Sequence, residues 1–65
     1  MVFDAACERT FKANAAAWTF FRAQPPGYQQ LSVGFVMQAK KEETRQRRLA
    51  SLIEASAAGQ RMKWM

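Results

Sequence analysis

The chain has one cysteine and no histidine, so an internal disulfide is impossible and a zinc site is not expected. Its 65 residues allow a single domain, which we predict to span residues 1–65, and chains of this size bury only a modest core. Small domains that lack a disulfide or a metal are stabilised by close packing or by self-association. We therefore expect a well-packed core, and we favour a homodimer over a monomer.

Residues that favour helices dominate the sequence. Alanine, glutamine, lysine, arginine and glutamate are abundant, whereas valine, isoleucine and threonine are scarce. No alternation of apolar and polar residues, which would indicate a strand, persists over five residues. The sequence predicts an all-α fold, a small bundle of three to four short helices.

Capping residues and breakers place the first two helices. Asp4 and Asn14 are favourable N-cap residues, which predicts short helices at about 4–13 and 15–23. The second helix must end at Pro25-Pro26-Gly27, because neither proline can donate a backbone hydrogen bond. Loops this short predict that consecutive helices are neighbours.

Two further helices follow the prolines. The third is predicted at about 28–39, with Gly34 permitting another helix to approach closely. The fourth runs from about 41 to 58 and ends before Gly59, after which residues 60–65 form a basic tail whose Trp64 could fold back. The predicted inner stripes are Tyr28, Leu31, Phe35 and Ala39 on the third helix, and Leu49, Leu52, Ile53 and Ser56 on the fourth.

The net charge of +5 favours acidic partners in general, namely nucleic acid, anionic lipid or an acidic protein. No apolar run approaches the roughly 20 residues of a membrane span, so no transmembrane segment is expected. The first residues lack the basic start and apolar middle of a signal peptide. A cytoplasmic location is therefore the default expectation.

The sequence contains no recognisable catalytic constellation. Without histidine, acid–base chemistry would fall to the five carboxylates, lysine or tyrosine, and no pattern brings those carboxylates together. A glycine-rich phosphate loop is also absent from the sequence. We expect a protein that is not an enzyme and that uses no cofactor or metal.

The basic run from Lys40 to Arg48 is the best functional signal. At about 100° per residue, the side chains of Lys41, Arg45 and Arg48 lie within about 60° of one another, on the side of the core stripe. An arginine that faces inward must find partners, because an unpaired buried charge is very costly. Arg47 points to the other side, where Glu43 precedes it by four residues and pairs with it.

Three interpretations of these arginines stay open. In the favoured one, Arg45 or Arg48 donates to carbonyls at the end of the third helix, or to a nearby carboxylate. In the second, a basic groove beside the aromatic residues holds an anionic ligand, and in the third the arginines form a solvated face. The predicted groove comprises Lys40, Lys41, Thr44, Arg45 and Arg48. Its predicted wall comprises Trp18, Phe21, Tyr28 and Phe35, which are otherwise expected in the core.

Three segments carry a resemblance to a known family. They are Ala16-Ala17-Trp18-Thr19-Phe20-Phe21, Pro25-Pro26-Gly27-Tyr28 and the run from Ala39 to Leu49. The last contains the pattern A-K-x-x-E-T-R-x-R-R, followed by an apolar helix and Gly59. Over about residues 10–61 the chain resembles the bacteriocin-protection, YdeI/OmpD-associated family.

The resemblance implies a helical module that in many members lies at the C-terminal end of another domain. The family label implies roles in resistance to antimicrobial peptides and in association with an outer-membrane porin, and some descriptions place members in the periplasm. The matching positions are Lys40, Thr44, Arg45 and Arg48, for which the resemblance implies no catalytic role.

The sequence leads to two hypotheses about function. The first is a non-enzymatic module that binds a protein, either itself or another, in peptide or stress resistance. The alternative is a small nucleic-acid-binding protein that uses the third and fourth helices as a helix-turn-helix-like pair. Binding through phosphates would weaken steeply with salt. Binding to a membrane surface is disfavoured, because the fourth helix lacks a wide apolar face.

Overall fold

The fold is all-α, as predicted, with four helices. The computed structural model describes residues 2–62 and contains no strand in that range. The helices are α1 (Ala5–Lys12), α2 (Ala15–Arg22), α3 (Pro26–Met37) and α4 (Glu42–Ala57).

Side-chain caps begin the first two helices, and both predicted caps are confirmed. The carboxylate of Asp4 accepts a hydrogen bond of 2.8 Å from the backbone N–H of Cys7. The side-chain oxygen of Asn14 accepts one of 3.1 Å from Ala17. Each cap satisfies a backbone donor that has no partner within its helix, which explains why such short helices begin where they do.

The third helix begins two residues earlier than the sequence predicted. Pro26 is its first residue and Pro25 its N-cap. A proline fits the first helical position, because its missing N–H would have no partner there and its φ is already helical. The helix ends at Met37 rather than Ala39, and a hydrogen bond of 3.3 Å from Ala39 N to Val36 O closes its last turn.

The predicted inner stripe of α3 was wrong at Leu31. Its side chain is 60% exposed, whereas the residues that α3 buries are Tyr28, Ser32, Val33 and Val36. Val36 marks the centre of the buried face, and Leu31 lies about 140° away from it around the helix. Apolar residues occur on every side of α3, so the sequence pattern did not define which side is buried.

A glycine motif ends the fourth helix, in agreement with the sequence. Gly59 has a φ of 72°, which side chains disfavour. Its N–H donates to Ser56 O at 3.0 Å, and the N–H of Gln60 donates to Ala55 O at 2.9 Å. These are the two hydrogen bonds of a Schellman motif, and they satisfy carbonyls that the helix leaves unpaired.

The fourth helix organises the bundle, because α1, α2 and α3 all pack against it. The expectation that consecutive helices are neighbours is confirmed for α1 with α2 and for α3 with α4, but was wrong for α2 with α3, because the most extensive contact of α2 is with α4. The predicted inner face of α4 is confirmed, with Leu49, Leu52 and Ser56 buried and Ile53 packed against the core.

Aromatic rings fill the space between the first three helices. Phe11 lies at the centre, with its ring centroid 4.9 Å from Phe21 and 5.3 Å from Trp18. Phe3 joins this ring cluster through Phe11 and Phe21, and Tyr28 joins it through Phe21. Tilted and edge-on pairs of this kind add to the stabilisation that burial provides.

The segment after Gly59 folds back over the α2–α3 turn. The Tyr28 hydroxyl accepts a hydrogen bond of 2.9 Å from the N–H of Met62, and Arg61 Nε donates to Gln24 Oε1 at 2.7 Å. Of the predicted basic tail, residues 60–62 are described. The prediction for Trp64 lies outside the described residues.

Two buried serines provide a matched test of the core. Ser56 Oγ is buried without a hydrogen-bond partner among the described residues, whereas the buried Ser32 Oγ donates to Tyr28 O at 2.9 Å. Both serine-to-alanine variants gain helix propensity, but only Ser32→Ala loses a hydrogen bond. We expect Ser56→Ala to exceed Ser32→Ala in free energy of unfolding by about 1 kcal/mol in urea titrations. Equal values would contradict this account.

Candidate functional site

The basic run holds the end of α3. Arg48 Nη1 donates a hydrogen bond of 2.9 Å to Phe35 O, thirteen residues earlier in the chain. Its guanidinium carbon also lies 4.8 Å from the centroid of the Phe35 ring. One side chain of α4 thus binds both the backbone and the ring of a residue in the last turn of α3.

Arg45 contacts three parts of the chain at once. Its Nη2 donates to Ala39 O at 3.2 Å, in the α3–α4 connection. Its Nη1 lies 3.7 Å from Asp4 Oδ2 and 3.6 Å from Glu42 Oε2. The side chain is only 25% exposed, so these partners compensate much of the cost of removing the charge from water.

We call Arg45, Arg48 and the Phe35 and Ala39 carbonyls the arginine clamp. Helix α3 has no basic residue in its own last turn, and a helix leaves carbonyls unpaired at its C-terminal end. Cations near that end also interact favourably with the helix dipole. The geometry therefore matches the favoured interpretation, in which these arginines hydrogen-bond carbonyls at the end of the third helix.

The clamp also reaches the start of α1. The pKa of Asp4 is lowered from its ordinary value, mainly because Cys7 donates hydrogen bonds to the carboxylate. The positive charge of Arg45 also lowers this pKa. Burial raises the pKa of the Cys7 thiol to about 11, so the thiol is protonated at neutral pH. The carboxylate of Asp4 therefore serves both as a helix cap and as a partner of α4.

The structure does not bring the predicted basic groove together beside Trp18 and Tyr28. Lys40 and Lys41 are exposed and Thr44 is half-buried, while the two arginines of the set form the clamp. Of the predicted wall, Trp18, Phe21 and Tyr28 belong to the ring cluster. Phe35 is the one wall residue that lies against a predicted groove residue, Arg48.

A concave surface that the sequence analysis missed lies beside α4. It has a volume of about 520 Å³ between one flank of α4, next to its core-facing side, and the junction of α1 with α2, and we call it the α4 groove. Its walls are Thr10, Ala13, Asn14, Gln46, Leu49, Ala50, Ile53, Glu54 and Ala57. The available signal was a second apolar line on α4, Ala50, Ile53 and Ala57, at steps of three and four residues.

The α4 groove has an unusual charge for this protein. Among the described residues that line it, Glu54 is the only charged one, although the whole chain carries +5. Small side chains at Ala13, Ala50 and Ala57 leave the space that larger residues would fill. The groove therefore offers an apolar channel with a single negative charge.

A second cavity of about 100 Å³ lies at the ring cluster, beside Trp18, Phe21 and Val33. Lys12 Nζ lies 5.5 Å from the Trp18 ring centroid, and the guanidinium of Arg22 lies 5.6 Å from it. Both cations have other partners, Glu8 for Lys12 and Gln29 for Arg22. This cavity is smaller than the usual volume of a ligand site.

The carboxylates of the first half of the chain and of the start of α4 act in structural contacts. Asp4 caps α1, Glu8 pairs with Lys12, and the predicted pair of Glu43 with Arg47 is confirmed at 3.2 Å. Within residues 2–62, no three histidine, cysteine or acidic side chains form a group that could hold a metal ion. None of the four helices in that range combines the length and the apolar character needed to cross a membrane.

A comparison with known protein families finds a match. The family model described as bacteriocin-protection, YdeI or OmpD-associated matches residues 1–59, a span that begins nearer the N-terminus than the resemblance seen in the sequence. Neither a curated protein nor a solved structure matches the chain.

The arginine clamp predicts which arginines of α4 matter for stability. We expect Arg45→Ala and Arg48→Ala each to lower the free energy of unfolding by about 1–3 kcal/mol, because each leaves carbonyls without a charged donor. Arg47→Ala removes the same charge from a side chain that is 72% exposed. We expect that control to change the free energy by less than about 0.5 kcal/mol. Three equal values in urea titrations would argue against the clamp.

The lowered pKa of Asp4 predicts a loss of stability in acid. A carboxyl whose pKa is lower in the folded state contributes stability at higher pH, and this contribution is lost as the pH falls below about 4. Asp4→Asn keeps a capping oxygen but cannot titrate. We expect the variant to have a shallower decrease of melting temperature between about pH 5 and pH 2. Parallel curves for the variant and the wild type would contradict the assignment.

Proposed function

Because the chain belongs to the bacteriocin-protection, YdeI or OmpD-associated family, we propose that it is a non-enzymatic module that binds a cationic amphipathic helix in the α4 groove. The observation that carries the proposal is the groove itself, an apolar channel of about 520 Å³ with one acidic wall residue. Amphipathic helices bind such grooves through residues spaced at three and four positions.

The negative charge of Glu54 in the groove, rather than the net charge of the chain, supports this class of partner. A helix with an apolar face and a basic residue beside it would bury its apolar side chains against Ala50 and Ile53 and place the cation near Glu54. Peptides with antimicrobial activity commonly combine an apolar face with lysine and arginine. Protection against bacteriocins, which the family description names, is consistent with sequestration of such a peptide.

The proposal of a binding module rather than an enzyme rests on how the ionisable groups are used. Asp4, Glu42 and Glu43 contact backbone or arginine partners in the fold. The thiol of Cys7 is buried, and its raised pKa keeps it protonated at neutral pH. These contacts support a structural role for the groups, and the lining of the α4 groove is mostly apolar.

The alternative, nucleic-acid binding by α3 and α4, lacks a comparable observation in its favour. Helix α3 carries no charged residue, and two of the arginines of α4 donate to carbonyls of α3 and of the α3–α4 connection. Phosphate binding would then depend on Lys40, Lys41 and Arg47. Binding to duplex DNA is therefore a competing outcome of the binding experiments.

Titration of a fluorescently labelled cationic amphipathic helical peptide tests the proposal. We expect wild-type protein to raise its fluorescence anisotropy, and Ala50→Phe to raise the Kd at least about tenfold by filling the groove. Ala16→Phe adds the same ring at an exposed position of α2 outside the groove, so we expect an unchanged Kd. Circular dichroism verifies that both variants are folded.

A second pair of variants tests the charge. We expect Glu54→Gln to weaken binding several-fold, and Glu43→Gln, which removes an acid of α4 outside the groove, to leave it unchanged. Because the protein and the peptide are both positively charged, added salt should not weaken their binding, whereas binding to duplex DNA would weaken steeply with salt.

The proposal fails if wild-type protein does not bind the peptide, or if Ala50→Phe binds it as tightly as wild type does.

A further inference from the structure

The exposed side of α3 is free of charge. Its twelve residues include no charged side chain, although the chain as a whole has ten basic and five acidic residues. Gly27, Leu31, Gly34 and Gln38 point to within about 60° of one another on the side away from the core. We call these four residues the α3 face.

Leu31 is the prominent apolar residue of this face. It is 60% exposed and, with Val2, one of the two large hydrophobic side chains that residues 2–62 expose to this degree. Val2 precedes the first helix, whereas Leu31 lies in the middle of a regular one. Leu31 does not belong to the core that the four helices form.

The two glycines of the α3 face have no explanation within the chain. Apart from the adjacent residues and the backbone of α3, a Cβ added to Gly27 would meet no atom of residues 2–62 within 4 Å, and one added to Gly34 would meet only the end of Gln38, at 3.7 Å. Neither residue has a positive φ. Glycine weakens a helix interior relative to alanine, so Gly34 is unfavourable in the isolated fold. The expected approach of another helix at Gly34 is not made by any helix of this chain.

A projecting leucine and two glycines that leave space beside it therefore lie on the same face of α3. Leu31 projects between Gly27, four residues before it, and Gly34, three residues after it. A two-fold interface uses one patch on both subunits, so that patch must be complementary to itself. We propose that two copies of the chain associate through their α3 faces, with Leu31 of each copy packing over the backbone at Gly34 of the other.

The charge distribution identifies α3 as the place where two copies can meet. Two chains of +5 repel each other, and like charges placed opposite one another in an interface are strongly unfavourable. Helices α1, α2 and α4 each carry basic residues, whereas α3 carries none. Arg48 and Arg61, which lie against Phe35 and Tyr28 of α3, are held by Phe35 O and Gln24 Oε1, so α3 opposes the fewest unpaired cations. No residue of the α3 face lines the α4 groove, so the dimer leaves that groove open.

Sedimentation equilibrium tests the dimer. We expect wild-type protein to show a concentration-dependent equilibrium between monomer and dimer, and Leu31→Lys to raise the dimer Kd at least about tenfold. The control Val2→Lys makes the same change of charge at the other exposed apolar residue, and we expect it to leave the Kd unchanged. Circular dichroism of Leu31→Lys should match wild type, because Leu31 is outside the core.

Gly34→Ala separates association from folding. Alanine should raise the melting temperature of the monomer in dilute solution, where helix propensity acts alone, and should raise the dimer Kd, because its Cβ holds the two backbones apart. Opposite effects of one methyl group on the two measurements are the signature of the proposed contact. Added salt should lower the wild-type Kd by screening the repulsion between the copies.

Three outcomes would overturn the proposal. They are a wild-type chain that is monomeric at its highest soluble concentration, a Leu31→Lys variant that dimerises as wild type does, and a Gly34→Ala variant whose dimer Kd is unchanged. None of these measurements uses the peptide, so they leave the proposed function of the α4 groove to its own test.

Discussion

The carbonyl groups at the end of α3 need donors, and that need sets the arrangement of the bundle. Helix α3 supplies no cation of its own, so the donors come from Arg45 and Arg48 of the next helix. Both arginines must lie on the side of α4 that faces α3, which fixes the rotation of α4 about its axis. The same rotation turns Leu49 and Leu52 into the core. The arginine contacts and the burial of the apolar face thus require the same rotation of α4.

Arg45 extends this constraint to the first helix. By approaching Asp4, it links the cap of α1 to the first turn of α4, although 41 positions separate the two residues in the chain. The pattern T-R-x-R-R, which carries the resemblance to the family, thus includes both arginines of the clamp. In this chain the pattern encodes how helices meet, and its presence is an argument for the fold rather than for a ligand.

Local signals predicted the elements, whereas contacts between distant segments could not be derived from them. The caps at Asp4 and Asn14 and the turn at Gly59 depend on a few neighbouring residues, and all three are as predicted. Helical winding also predicted that Arg45 and Arg48 face inward. Leu31 was misplaced because α3 is apolar on every side. The α4 groove was missed because α4 and the α1–α2 junction form it jointly, far apart in sequence.

The distribution of charge explains why a basic protein of this size need not be a nucleic-acid binder. Arg45 and Arg48 act inside the fold, and Lys12 and Arg47 are paired with acids of their own helices. The net charge gives the excess of basic over acidic residues in the chain. It does not say how many of the cations lie on one surface. By contrast, the α4 groove and the α3 face contain no basic residue. Recognition at either surface would depend on apolar shape, and at the α4 groove also on the negative charge of Glu54.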